Sequence, residues 1–246
     1  MLDGRKIVVL SPHLDDAVFS LGASIAEATR AGKEVRVVTV FAGDPRLPLP
    51  AAWWDRATGF ATFAEAARAR REEDSLACGL IGATPVWLPF GDATYEEEHE
   101  DDKVWSAVAE AVGDADAVLT PGFPLVHVDH AWLTRLVLER RFERDPRVGL
   151  YVEQPYAWRR GERPGWTEQL HGVLPEAPPW RHSRASRRDR RMKRRAFRCY
   201  ASQLPMFGRQ PLLRIALREA IGGGEGVAWL TSAGPVEARV RSTAGV

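Results

Sequence analysis

The chain has 246 residues, of which 45% are hydrophobic and 27% charged, and its formal net charge is +1 at pH 7. That length supports one substantial core, and the near-neutral balance excludes recruitment of partners by overall charge. Two cysteines, Cys78 and Cys199, exclude a disulfide framework and a cysteine-rich metal centre.

No run approaches the ~18 apolar residues of a membrane span, and the first residues lack the apolar stretch of a signal peptide. A cytoplasmic protein is expected, with no nucleic-acid partner. Short β-branched runs then alternate with helical patterns through residue 152, as in a parallel α/β sheet. Residues 7–10 form a buried strand, and residues 17–31 a helix with Val18, Leu21, Ile25 and Ala28 on one face and Gly32 as its stop. A second strand spans 35–41, followed by a loop over 45–58 rich in proline and tryptophan. The spacing predicts a helix over 61–80 closed by Gly82, a strand at 86–88, a helix over 104–112 and a strand at 117–119. A helix over 130–142 and a strand at 148–152 complete the alternation. Residues 154–182, with five prolines and several tryptophans, read as a functional loop or small cap. Helices over 187–203 and 212–221 and a strand at 227–230 follow. The expectation is one α/β domain over 1–246, with its core in about 5–155 and a C-terminal loop-rich cap and helices in about 156–246.

Two clusters follow predicted strands. His13-Leu14-Asp15-Asp16 comes after the first, and His127-Val128-Asp129-His130 after the fourth. Ligands of open parallel sheets bind beyond the carboxyl ends of the strands, so neighbouring first and fourth strands would turn both clusters into one crevice. His13 and Asp16, three residues apart in a turn entering a helix, can grip one ion, and His130 would complete the set while leaving a position for water. Mixed nitrogen and oxygen donors suit Zn2+, with Fe2+ or Co2+ tolerated. Asp15 diverges from its neighbour and is placed to take a proton from water. His127 could donate to an oxyanion or protonate a leaving amine, with Asp129 holding its other ring nitrogen. The bland alternative makes these loop histidines ordinary polar residues and the paired aspartates a helix cap.

The first cluster, with Gly22 six residues on, resembles the opening signature of the PIG-L/LmbE family of zinc-dependent de-N-acetylases. His127-Val128-Asp129-His130 resembles that family's His-x-Asp-His motif. Arg70-x-x-Glu73, Gly82 and Phe90-Gly91-Asp92 look like its middle section, and residues 193–203 resemble a late helix of the family. The resemblance implies a Rossmann-like, mostly parallel sheet flanked by helices. It implies metal ligands His13, Asp16 and His130, a base Asp15, and a partner His127 supported by Asp129. Asp44, Arg70 and Asp92 would contact substrate hydroxyls. The implied reaction removes an acetyl or other acyl group from an amino sugar or related small amide, as in bacterial specialised metabolism. Two departures stand out: Leu14 replaces the usual proline, and Ala17 stands where a glutamate often follows. Rival readings are a noncatalytic α/β protein binding phosphorylated sugars or nucleotides, and a metal-dependent amidase acting on a thiol conjugate. The residues Ser11-Pro12-His13 after the first strand replace a glycine-rich dinucleotide turn, which counts against the former.

Two features lie outside these motifs. Nine arginines and Lys193 crowd residues 181–198 against the single acid Asp189. An acidic block (Asp92, Glu96, Glu97, Glu98, Glu100, Asp101 and Asp102) is expected to face that helix, within the molecule or across a homo-oligomer. A pocket for a phosphate or acidic substrate and, last, a nucleic-acid surface are the other uses of the arginines. Trp53, Trp54, Phe60, Trp158, Trp166 and Trp180 either pack loops onto the sheet or line the mouth of a pocket for an apolar or glycosidic group.

Overall fold

The computed structural model describes residues 1–95, 99–157, 167–171, 173–174, 176–207 and 224–230. The expected strands and helices form with small shifts at their ends: β1 Lys6–Ser11, α1 Asp16–Arg30 and β2 Glu34–Thr39. A five-residue helix, α2 Trp53–Ala57, forms inside the segment expected to be loop. Then come α3 Phe63–Ile81, β3 Thr84–Trp87, α4 Asp101–Val112, β4 Ala117–Phe123, α5 Val128–Glu139 and β5 Arg147–Val152. The proline-rich stretch adds a one-turn helix, α6 Glu168–His171, and a two-residue strand, β6 Arg181–His182. Helix α7 Arg187–Phe197, a 3-10 turn Leu204–Phe207 and β7 Gly226–Trp229 follow. The expected helix over 212–221 lies outside the described residues, as do Trp158, Trp166 and residues 96–98.

The seven strands lie in the order β3-β2-β1-β4-β5-β7-β6. The first five are parallel; β7 runs antiparallel to β5 and to β6. Strand order reverses between β1 and β4, the point at which doubly wound sheets open a crevice for ligands. The central strands β1 and β4 and most of β5 are buried on both faces, which is why they read as continuous apolar runs. Side chains alternate along a strand. Ile7 and Val9 therefore pack with α1, α3 and α7, whereas Val8 and Leu10 pack with α4 and α5.

Helix α3 begins on a capping box, Thr62 accepting from the Glu65 amide while Glu65 reaches back, and ends at Gly82 in the left-handed conformation (φ 73). Gly22 serves a close approach instead. A Cβ there would lie 2.9 Å from Lys193 Cγ of α7. Lys193 is fully buried and pairs with Glu225 at 2.8 Å, and Glu225 also accepts from the Ala23 and Ser24 amides and the Ser24 hydroxyl. Helix α7 stops at Phe197, six residues short of expectation. The Ser202 amide and hydroxyl both donate to Glu73 of α3, at 2.8 and 2.7 Å, drawing the chain out of helical bonding.

Of the acidic block, residues 96–98 lie outside the described residues, and two of its acids are paired elsewhere. Asp101 and Asp102 of α4 pair with Arg135 and Arg140 beside them, at 3.3 and 2.6 Å, and α4 covers the sheet face opposite α7. Asp101 and Asp102 therefore do not meet α7 within one molecule.

Candidate metal centre

Because β1 and β4 are hydrogen-bonded neighbours, the turns that follow them share the crevice. Ser11 shapes the first turn: its hydroxyl donates to the His13 carbonyl at 2.6 Å and accepts from the Ala17 amide at 3.0 Å. Asp15 and Asp16 are buried at the start of α1. The Asp15 side chain caps nothing, so the helix-cap alternative does not describe it.

Three donor atoms converge. His13 Nδ1 and Asp16 Oδ2 are 3.2 Å apart, His130 Nε2 and Asp16 Oδ2 3.1 Å, and the two ring nitrogens 3.2 Å. Tetrahedral ligands about 2.0–2.1 Å from zinc lie roughly 3.3 Å from one another, so the triangle has the dimensions of a divalent-ion site. The far side of each ring is engaged. His13 Nε2 lies 2.9 Å from Asp129 Oδ2, and His130 Nδ1 lies 2.6 Å from Glu153 Oε2. When the ring protons are held by those carboxylates, the two inward nitrogens can offer lone pairs to an ion beside the Asp16 oxygen. Without an ion, ring protons hold the cluster together, as the raised pKa values of both histidines require, and an ion would displace them; carboxylate-backed imidazoles are usual around metal sites. One nitrogen from each of His13, His127 and His130 also falls within 4.8 Å of the others, a looser grouping.

Asp129 does not hold His127 in the manner expected. Its Oδ2 lies 3.6 Å from His127 Nδ1, beyond hydrogen-bond reach, and backs His13 instead. The contact with His127 runs the other way, as the Asp129 amide donates to His127 Nδ1 at 3.3 Å. That amide fixes Nδ1 as acceptor and leaves Nε2–H as the ring's donor.

The electrostatics follow from this packing. Burial raises the Asp15 carboxyl well above the ordinary carboxylate value, and the charge of Asp16 adds to the effect. Burial acts on Asp16 in the same direction, but His130 and His13 hold it below its ordinary value. Burial disfavours a charged His130, yet Asp16 and Glu153 lift it to about 9. His127 is pushed down to about 4 by burial and by the neighbouring imidazoles, so it is neutral at neutral pH.

Of the remaining expected residues, Arg70 and Asp92 are linked to this centre through their neighbours, and Asp44 contacts Arg46 instead. Arg70 pairs with buried Asp55 of α2 at 2.5 Å, and its charge is felt at Asp15. Asp92 accepts from the Thr94 amide, in a loop whose Ala93 amide reaches Asp129 at 3.3 Å. Asp44 is gripped by Arg46, whose hydrogen bonds lower its pKa to about 2. Sequence reasoning missed Glu153, Asp55 and His99. His99 stacks on Phe41, with centroids 4.4 Å apart, and its Nε2 lies 3.5 Å from Asp129 Oδ1. Tyr95 donates to Asp55 and accepts from the Ala52 amide, tying the loop after β3 to α2.

Among solved structures, the chain is similar to an A40926 pseudoaglycone deacetylase, with 29% identity and a TM-score of 0.75 over 92% of this chain and 97% of that one. A deacetylase from the teicoplanin biosynthesis pathway is similar at 25% identity and a TM-score of 0.74, over 92% and 99% of the two chains. The N,N'-diacetylchitobiose deacetylase of Pyrococcus horikoshii shares the fold, with 17% identity and a TM-score of 0.62 over 93% and 84%. Comparison with curated proteins finds no match. The model of the PIG-L family, GlcNAc-PI de-N-acetylase, matches residues 8–140. That span exceeds half the chain and contains both turns that build the centre, and the chain belongs to the PIG-L family.

Proposed function

We propose that the protein is a metal-dependent N-deacetylase acting on an N-acetylated amino sugar, free or attached to a larger scaffold. The observation that carries this reading is the triangle of His13 Nδ1, Asp16 Oδ2 and His130 Nε2, with buried Asp15 beside it. The relatives that are 25–29% identical are deacetylases of glycopeptide-antibiotic pathways, which supports the acetamido class. His13, Asp16 and His130 would hold the ion; zinc fits the donors, and iron or cobalt would be accepted. A divalent ion there supplies Lewis acidity, making water easier to deprotonate and an amide carbonyl easier to attack.

Asp15 takes a proton from the attacking water. Burial makes its carboxylate a stronger base than an ordinary one. The water oxygen bonds to the carbonyl carbon, and the Nε2–H of neutral His127 donates to the oxygen on which charge builds. As the C–N bond breaks, the proton held by Asp15 passes to the nitrogen, giving acetate and a free amine. The family resemblance assigns Arg70, Asp92 and Asp44 as contacts for substrate hydroxyls.

The test combines metal analysis with turnover on a panel of N-acetylglucosaminyl compounds, including glycopeptide pseudoaglycones. Asp15→Asn is expected to keep its metal and lose about 10²–10⁴-fold in kcat. His130→Ala is expected to lose most of the metal. Full turnover by Asp15→Asn removes it as the base, and unchanged metal content in His130→Ala removes that ligand.

A further inference from the structure

Two sequence features take no part in the metal centre: the arginine block and the aromatic loop after β2. In the structure they adjoin. Helix α7 crosses α1 in the opposite direction. Asp189 meets Arg30 at the last turn of α1, Lys193 lies over Gly22 at its middle, and Phe197 stacks on Phe19 near its start, with centroids 4.0 Å apart. Since α1 begins at the crevice, α7 climbs towards it. Just beyond, Gln203 Oε1 accepts a hydrogen bond from Trp54 Nε1 at 3.1 Å, joining this segment to α2.

Helix α7 turns Asp189, Lys193, Ala196 and Phe197 inward and leaves Arg187, Arg188, Arg191, Arg195 and Arg198 exposed. These five occupy an arc of about 100° along roughly 16 Å of helix. Among the described residues none of the five is ion-paired; the one acid of the helix, Asp189, is engaged by Arg30. Asp101 and Asp102 of α4 are held by Arg135 of α5 and by Arg140 just after it, on the opposite face of the sheet. A chain whose net charge is +1 therefore presents a concentrated cationic stripe that no acid among the described residues pairs. In α2, which Gln203 joins to the segment after α7, Trp53 is 60% exposed, and Leu47 and Leu49 of the loop that leads into it are 40% and 38% exposed.

We propose that this face docks on an anionic phospholipid surface, with the arginine stripe against headgroup phosphates and the Trp53 loop in the interfacial zone. Guanidinium forks match phosphate oxygens, and indole rings settle where apolar and aqueous media meet. An acidic protein or a nucleic acid would satisfy the stripe but leave the exposed indole and leucines unexplained; a bilayer surface uses both. Each basic residue near an anionic membrane strengthens binding about fivefold. No helix among the described residues is long and apolar enough to cross a membrane, so the contact is peripheral. The crevice mouth would lie beside the lipid. This inference concerns where the protein sits and does not depend on the reaction it performs.

Sedimentation with unilamellar vesicles tests it directly. The full chain is expected to bind phosphatidylcholine vesicles containing about 30 mol% phosphatidylglycerol and to ignore pure phosphatidylcholine, with binding lost between about 50 and 500 mM NaCl. The exposed triple variant Arg187→Glu/Arg191→Glu/Arg195→Glu, with its thermal midpoint unchanged, is expected to bind at least about a hundredfold more weakly. Trp53→Ser should weaken binding severalfold with the stripe intact. Equal binding to both vesicle types overturns the proposal, as does binding that survives the triple reversal. Failure to bind vesicles also overturns it, whether or not the stripe retains duplex DNA or a second copy of the chain.

Discussion

His13 and His130 reach the centre of the crevice with one nitrogen each, and what stands behind them sets which nitrogen is free. Glu153 is buried, accepts from His130 Nδ1 and also takes the Leu125 amide at 2.9 Å. In Glu153→Gln the single amide oxygen can serve Leu125, but the NH2 then faces His130 and favours the tautomer whose Nε2 carries hydrogen. That tautomer has no lone pair for an ion. Metal affinity is expected to fall about 10–100-fold, read by competition with a chromophoric chelator, with little change in the thermal midpoint. Unchanged affinity would remove Glu153 from the centre. His13, Asp15, Asp16 and His130 were readable from sequence because each sits just past an apolar strand. The same rule applied to the strand ending at Val152 reaches Glu153, an acid directly at its carboxyl end. His99 and Asp55 had no such signal. Both lie in irregular segments, and only tertiary contacts with Asp129 and Arg70 give them meaning. The swap of Asp129 from His127 to His13 was beyond sequence for the same reason, since it turns on which ring is closer.

Helix α7 is a polyarginine segment that would repel itself as an isolated helix, so its attachment to α1 matters. Ser186 caps it by accepting from the Asp189 amide, and the Asp189 carboxylate takes two hydrogen bonds from Arg30, at 3.0 and 2.8 Å. The Arg30 hydrogen bonds, working against burial, hold the Asp189 carboxyl below its ordinary value. A carboxyl whose folded pKa is depressed stabilises the fold above its unfolded pKa of about 3.9, and that stability is lost as pH falls through the folded value. Arg30 is partly in water, which screens the pair, so Asp189→Asn should cost about 1 kcal/mol at pH 7. The difference from the parent protein should shrink as urea midpoints are taken below about pH 4. A constant difference from pH 7 to pH 3 would show that charge is not what the substitution removes. Periodicity revealed the long helices and the parallel strands, whose patterns run for several residues. It could not reveal α2, α6 or β6, because a single turn or a two-residue strand contains no period. It overran the end of α7 because Tyr200, Ala201 and Ser202 do not oppose a helix; the capture of Ser202 by Glu73 is a tertiary event.

At the scale of the molecule, the sheet order puts both motif turns at one switch point, and the sequence could state that only as a condition on β1 and β4 being neighbours. The placing of β7 had no sequence signal, since an apolar run of four residues does not declare its direction. Yet β7 pairs with β5, and Glu225 just before it joins Lys193 of α7 to the Ala23 and Ser24 amides of α1. The segment after residue 155 therefore shares the core of the first half. Phe197, Tyr200 and Val227 are buried in the cluster that contains Phe19, Ile25 and Leu119. Each such side chain contributes about 1.5–3 kcal/mol when fully buried, and three together rival the whole net stability of about 5–15 kcal/mol typical of a domain. A chain ending at residue 155 would expose the α1 face around Gly22 and leave the outer edge of β5 unpaired. Such a chain is expected to show no cooperative urea transition. The full chain should unfold in one step, with tryptophan fluorescence and far-ultraviolet circular dichroism giving the same midpoint. A cooperative transition in the shortened chain would mean that residues 1–155 hold a complete core and that the C-terminal segment is an accessory, in which case the Lys193–Glu225 pair would only fasten a cap.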